Sequence, residues 1–339
     1  QRLKELEKTN TNYAQLVEEF IRNDLTGFKR LYLKDREIKN LILMGDFLTE
    51  TIFREERQDN IITRAEFEKR YENTVYKTET SLSEEMDIDP EYAALIVPTM
   101  VICKDFMDLF NAEALWMPGV SLLDGIAYDF GEKKNFIKSA HNFENDILVA
   151  ARNIAKRYST GKDHIKGTTD LALAIFDSMK KVHGMGDRER LLLQIAVQLH
   201  DCGKYISMGD VAECSYQIIM ATEIIGLSTE ERQIIANAVR YNTTEFVYYS
   251  EIAGEVGMDR SVYLLIAKLT AILRIANAMD RSHYQKVKNM KAMLKDRTLL
   301  LTVDSEQDIS LELGLLMDKV EFFEEVFGIR LVFRRKRKV

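Results

Sequence analysis

The run LHDCGKYISMGDVAECSY, Leu199 to Tyr216, sets His200 beside Asp201. An adjacent imidazole and carboxylate at a helix end can both face one hard or borderline cation. A divalent ion held that way activates water, provided it keeps an open position. His164, at the expected start of its own helix, and Asp280 in RIANAMDRSH are of the right type to join the doublet. The candidate metal ligands are therefore His164, His200, Asp201 and Asp280, with Asp210 as a further carboxylate. The same residues have a plainer reading: a hydrogen-bonded cluster joining helices, in which Asp201 holds a histidine in one tautomer.

Other reactive residue types read as structural. His141, His183 and His283 are scattered, and each is expected as a surface or capping histidine. Cys202 would react only if an adjacent cation lowered its pKa, and is expected as a small buried side chain. Tyr248 and Tyr249 in TTEFVYYSE read as a packed loop rather than a platform for stacking bases. No nucleophile elbow, Walker loop or dinucleotide fingerprint is present.

Composition narrows the class. The 339 residues are 46% hydrophobic and 30% charged, which describes a globular chain long enough for two cores. With 3 Pro and 16 Gly, a mainly helical architecture is expected. The net charge of -7 argues against a nucleic-acid partner, and the basic RRKRK from Arg334 to Lys338 reads as a solvated tail. Three cysteines without CxxC spacing fit a reducing compartment, and no apolar run is expected to span a membrane. A cytoplasmic protein is expected. Because the chain opens on Gln1, it is also expected to be a piece of something longer.

The elements that must position these residues follow from period and punctuation. Leu16, Val17, Phe20 and Ile21 stand at helical spacing. Leu41–Met44 read as a buried strand, Gly45 as its turn, and Phe47 as a helix start. IITRAEFEKRYENTV reads as a helix capped by Thr63 with Glu66 three residues on. Another starts after Pro90 and is expected to kink at Pro98, ahead of a strand at Leu115–Met117. Amphipathic helices are then expected near 138–158, 164–182, 188–201, 210–226, 229–240 and 261–281. Strand, helix and strand close the chain.

Helices bearing His164, then His200-Asp201, then Asp280 resemble the HD superfamily of metal-dependent phosphohydrolases. Against that pattern, Val211 and Cys214 stand where a histidine is usual, Asn242 where another is expected, and Asn277 where an aspartate closes the site. Valine cannot ligate and asparagine is a weak neutral ligand. A wider resemblance rests on LALAIFDSMKKVHGMGDRERLLLQIAVQLHDCGKYI, SYQIIMATEIIGLSTEERQIIANAVRY and KLTAILRIANAMDRSH, with NLILMGDFLTETI and LIVPTMVICKDFMDLFNAEALWMPGVSLLDGIAYD upstream. Over roughly residues 10 to 330 these are similar to the exopolyphosphatase / guanosine pentaphosphate phosphohydrolase (Ppx/GppA) family.

That resemblance implies an α+β, mainly helical fold. A second actin-like (ribonuclease H-like) α/β subdomain would occupy 1–134, an all-α HD-like domain 135–295, and a small α/β unit 296–339. It implies hydrolysis of a terminal phosphoanhydride of polyphosphate or guanosine pentaphosphate, with Mg2+ as cofactor and Gly45 and Thr49 on the phosphate side. The first actin-like subdomain, which carries the family's catalytic Glu, has no counterpart in the sequence, so no catalytic residue is assigned. The family's glycine pair is here Gly45-Asp46, and its Ser-Leu-Arg turn is Ser121-Leu122-Leu123, followed by a Gly125 expected to serve packing. These changes leave two alternatives: a non-catalytic module binding polyphosphate or guanosine penta- or tetraphosphate, and an HD-type metal phosphohydrolase. A homodimer is the implied assembly, with neither nucleic acid nor membrane as partner.

Overall fold

The computed structural model describes residues 13–33, 36–45, 47, 60–139, 141–252 and 258–336. They fall into two compact units, Gln1–Ser139 and Ala140–Val339. Helices dominate both, and each holds one small mixed sheet. Thr49 and Asp46 lie outside the described residues.

In the first unit, helix α1 (Tyr13–Phe28) precedes strands β1 (Asn40–Ile42) and β2 (Ile61–Thr63). Helices α2 (Arg64–Thr74), α3 (Glu79–Met86) and α4 (Pro90–Phe110) follow, then strand β3 (Ala114–Trp116) and helix α5 (Leu122–Lys133). The capping box expected at Thr63 and Glu66 is formed, and it begins α2 directly from the end of β2. Pro90 occupies the first turn of α4 behind an Asp89 cap, and the helix continues through Pro98. The sheet order is β1-β3-β2, with β1 parallel and β2 antiparallel to β3.

The expectation of a buried strand at Leu41–Met44 is corrected. Side chains alternate between the faces of a strand, and only one face of this sheet is covered. Ile62 and Leu115 form its buried row, while Ile42, Trp116 and Ile61 align in register on the open face. Gly125 also departs from expectation: a side chain there would meet nothing within 4 Å, so it packs against no neighbour.

The second unit opens with helices α6 (Phe143–Arg157), α7 (Lys162–Ser178) and α8 (Asp187–Leu199). These are followed by α9 (Val211–Ala221), α10 (Thr229–Arg240) and α11 (Arg260–Ala278). The expected helices 164–182 and 188–201 each stop short. Met179 divides the first from a single turn, Lys180–His183, and beyond His200 the second tightens into a 3-10 turn, Cys202–Tyr205. Helix α11 is long and apolar enough to cross a membrane, with a mean hydropathy of 1.4, contrary to expectation. Here its apolar residues, Leu269, Ile272, Leu273 and Ile275 among them, are core.

Strands β4 (Asn289–Lys295) and β5 (Thr298–Asp304), helix α12 (Ser310–Phe327) and strand β6 (Arg330–Arg335) close the chain. The sheet order is β4-β5-β6, antiparallel then parallel. Strand β4 was not anticipated. Its hairpin turns on Asp296 and Arg297, both at positive φ as a tight two-residue turn requires. Leu299, Leu301, Val303, Leu316 and Phe323 belong to the same buried cluster as the helices. This terminal sheet therefore shares the core of the helices.

Candidate functional site

Three helix ends bring the histidines and aspartates together. His164 projects from the first turn of α7, His200 ends α8, and Asp280 follows α11. The last turn of α8 is fixed because Leu192, Ile195, Ala196 and Leu199 anchor its apolar face in the core. His164, His200 and Asp280 are all buried, and Asp201 is partly so.

The hydrogen bonds settle the tautomers. His200 Nδ1 stands 2.7 Å from the Val197 carbonyl, which can only accept, so Nδ1 carries the proton. Burial pushes the His200 pKa below 6.5, against the pull of Asp201, and the ring is neutral with a lone pair on Nε2. His164 Nδ1 stands 2.7 Å from Asp280 Oδ2. Burial alone would raise the Asp280 carboxyl, but hydrogen bonds from His164 and Gln285 carry it below its ordinary value. The ionised carboxylate therefore accepts a hydrogen bond from His164 Nδ1–H.

The two Nε2 atoms that remain face one another at 3.1 Å. Either they share one proton, or two lone pairs converge on the same point. With the proton absent, each ring is held by its Nδ1–H, His164 on a carboxylate and His200 on a carbonyl. That is the outer arrangement that orients metal-ligating histidines.

Asp201 supplies the third candidate ligand. Its Oδ1 is 3.6 Å from His200 Nε2. Donor atoms of His164, His200 and Asp201 all lie within 4.8 Å of one another, the one such group found among the described residues. Burial would raise Asp201, but the neighbouring His200 and Lys204 lower it on balance. Lys204 Nζ holds Asp201 Oδ2 at 2.5 Å, partly neutralising its charge.

Asp280 has a different place from the ligand role expected of it. Oδ2 accepts from His164 and from Gln285 Nε2 at 3.2 Å, and Oδ1 accepts from the Gln285 backbone N–H at 2.8 Å. Both oxygens are thus engaged, and Asp280 orients His164. Asp210 also stays outside the group, at the start of α9.

His283, expected to be peripheral, is part of the site. Its ring stacks on His164 with centroids 3.7 Å apart and planes 8° apart, and its Nε2 lies 3.9 Å from Asp201 Oδ2. Backbone reversal after α11, with His283 and Gln285 both at positive φ, makes that placement possible. Glu312, buried on α12, holds the same turn from outside through Ser282 and Lys286 at 3.2 Å. The Asp-x-x-His spacing in AMDRSH was the available signal, but only the reversed backbone turns it into a contact.

The remaining expectations sort simply. Asn242 and Asn277 line a cavity that none of these histidines lines. Cys202 is buried, and its thiol is pushed up to about 11, first by that burial. Gly45 ends β1's extension at φ 144°, a conformation side chains rarely adopt. At the Ser121 turn, the Asp124 carboxylate takes up the Ser121 N–H and hydroxyl in a capping box, and Leu123 is exposed.

Comparison with known families gives a match within the second unit. The model for Ppx/GppA phosphatase, domain III, aligns with residues 149–321, just over half of the chain. That span runs from within α6 to within α12 and includes every residue of the histidine–aspartate cluster. Among curated proteins, none matches the chain.

Proposed function

Since the chain belongs to the Ppx/GppA phosphatase family, we propose that it serves the hydrolysis of phosphoanhydrides, with polyphosphate or guanosine pentaphosphate as substrate. The observation that carries this reading is the domain III match through the whole helical core. In this reading the first unit is the second actin-like subdomain, and the helices after residue 140 are the HD-like domain with its small α/β end. On the same reading Gly45 belongs to the phosphate side, and Thr49, outside the described residues, is assigned there by the resemblance alone. At φ 144° the position favours glycine, whose missing Cβ would let a phosphoryl oxygen come close to the main chain. Mg2+, when bound with the substrate, would offset charge on the phosphoryl oxygens.

Leu123 contributes no charge, and Asp124 occupies the start of α5 with a carboxylate of its own. Phosphate contacts are therefore sought at the end of β1. The test is release of orthophosphate from each substrate in the presence of Mg2+. Release should fall at least tenfold in Gly45→Ala, where the side chain meets strained backbone. Binding of either substrate without release would instead identify a regulatory module.

A second reading is favoured by the 3.1 Å contact between the two imidazoles. His164 Nε2, His200 Nε2 and an Asp201 oxygen fit one divalent ion, with both rings already oriented from behind. When bound, such an ion activates water and polarises a phosphoryl oxygen. Around it, Asp280 fixes the His164 tautomer, Lys204 tempers the Asp201 charge, and His283 is placed to carry a proton. Calorimetric titration with Mn2+ or Zn2+ tests this directly. One equivalent should bind, His200→Gln should abolish binding, and Asp280→Asn should weaken it roughly 10–100-fold. No uptake by the unaltered chain would leave the pair as a proton-bridged clamp between α7 and α8.

A further inference from the structure

We propose that the second unit carries an anion site separate from the histidines, which takes a phosphate group bearing a proton. It lies in the cavity of about 170 Å³ whose lining includes Asn242, Thr243, Arg274, Asn277, Arg281 and Lys319. The turn after α10, the end of α11 and one face of α12 supply these residues.

Three independent features of the cavity point to that ligand. Every ionisable group lining it is a cation, and no carboxylate lines it. Arg281 and Lys319 make no ion pair among the described residues. Arg281 is exposed and Lys319 half-buried, so solvent screens part of their repulsion from Arg274, and an anion among the three would remove the rest.

Arg274 is the second feature. It is only 9% exposed, yet it pairs with no carboxylate among the described residues. Its Nε donates to the Tyr241 carbonyl at 2.7 Å and its Nη2 to the Thr244 carbonyl at 2.5 Å. The guanidinium also lies over the Phe322 ring, 4.4 Å from its centroid. Those contacts fix the plane of the fork but leave its charge uncompensated. A guanidinium held rigidly in this way suits an oxyanion.

The third feature selects among oxyanions. Asn242 is 3% exposed, and its Oδ1 is buried without a hydrogen-bond partner. An unpaired acceptor on a residue that lines a cationic cavity is of no use to a fully ionised sulfate. A phosphate dianion or monoester monoanion keeps a P–OH, which can donate to that oxygen while its other oxygens accept from the cations. Size agrees, since organic ligand pockets begin at roughly 300 Å³. The enclosed group is a single tetrahedral ion or the end of a larger molecule.

The experiment is calorimetry on the full chain, with chelator present so that metal-dependent binding elsewhere is silent. Inorganic phosphate, methyl phosphate, sulfate and dimethyl phosphate are titrated separately at matched ionic strength. One equivalent of phosphate should bind, with sulfate and dimethyl phosphate at least fivefold weaker. Arg281→Gln/Lys319→Gln should lower phosphate affinity at least tenfold with unchanged circular dichroism and melting temperature. Lys319→Glu, a single change on the rim, should do the same if the double variant is poorly folded. Methyl phosphate binding as well as phosphate would identify the occupant as a terminal phosphate of a larger molecule; its exclusion would identify the free ion. The proposal is overturned if phosphate does not bind, if the folded variants bind it undiminished, or if sulfate binds equally well.

Discussion

The nitrogens of His183 show how a single buried side chain reports its protonation state. Nε2 lies 2.9 Å from the Phe176 carbonyl and must donate, while Nδ1 accepts from the Met185 backbone N–H, also at 2.9 Å. The ring is therefore neutral, and a second proton would set two N–H groups against each other at Nδ1. Burial, the largest influence, pushes its pKa below 6.5. The sign follows from linkage: below about pH 6.5 the unfolded chain takes up a proton that the folded chain refuses, so acid favours unfolding. His183 thus supports the fold fully above that pH and progressively less below it, by roughly 1.4 kcal/mol per pH unit once the difference is a whole proton. His200, buried and neutral, acts in the same direction. Urea unfolding at pH 7.5 and 5.5 should show His183→Asn less stable than the parent at pH 7.5, with its loss on acidification smaller by about one proton. Parallel losses in both proteins would mean that His183 is not held neutral.

At the scale of elements, what places His200 and Asp201 is the close approach of the 3-10 turn to α9. A Cβ on Gly203 would stand 2.3 Å from the Val211 carbonyl oxygen and 2.5 Å from the Ser215 nitrogen, so no alanine fits without moving a backbone. The Gly203 N–H also donates to Ser215 Oγ at 2.8 Å. Gly203→Ala should cost about 3 kcal/mol, near the upper end for overpacking, and should displace the doublet. Gly314 within α12 is the contrast: nothing lies within 4 Å, and Gly314→Ala should stabilise by about 0.5–1 kcal/mol. Thermal melts of the two variants should move in opposite directions. The sequence conveyed neither difference, because both glycines are equally silent about their neighbours. Periodic segments were legible, as α8 and α11 show, and so were caps with a chemical signature, such as Thr63 with Glu66. Strand β4 escaped notice because its hairpin uses Asp-Arg, lacking the glycine that marks such turns. His164, His200, Asp201 and Asp280 were found by residue type. The role of Asp280 and the presence of His283 depended on a left-handed turn that no pattern announced.

For the molecule as a whole, the question is which lengths of chain fold as one body. Residues 140–339 form one compact unit, and its apolar core passes without interruption from the helices into the terminal sheet. Helix α12 packs along α11, with Phe322 under Arg274 and with Leu316 and Phe323 buried. It also carries Glu312, which holds the turn that brings His283 to the cluster. Removing everything after Lys288 would expose the α11 face to water and release that turn together with it. Exposure of several large apolar side chains, each worth roughly 1.5–3 kcal/mol, exceeds the margin by which domains are stable. A fragment of residues 140–339 should therefore melt in a single cooperative transition, monitored by circular dichroism. A fragment of residues 140–288 should keep helical signal without a transition and should bind a hydrophobic dye, the behaviour of a collapsed chain lacking fixed packing. A sharp melt from the shorter fragment near the temperature of the longer one would show instead that the helices stand alone and the terminal sheet is an independent addition.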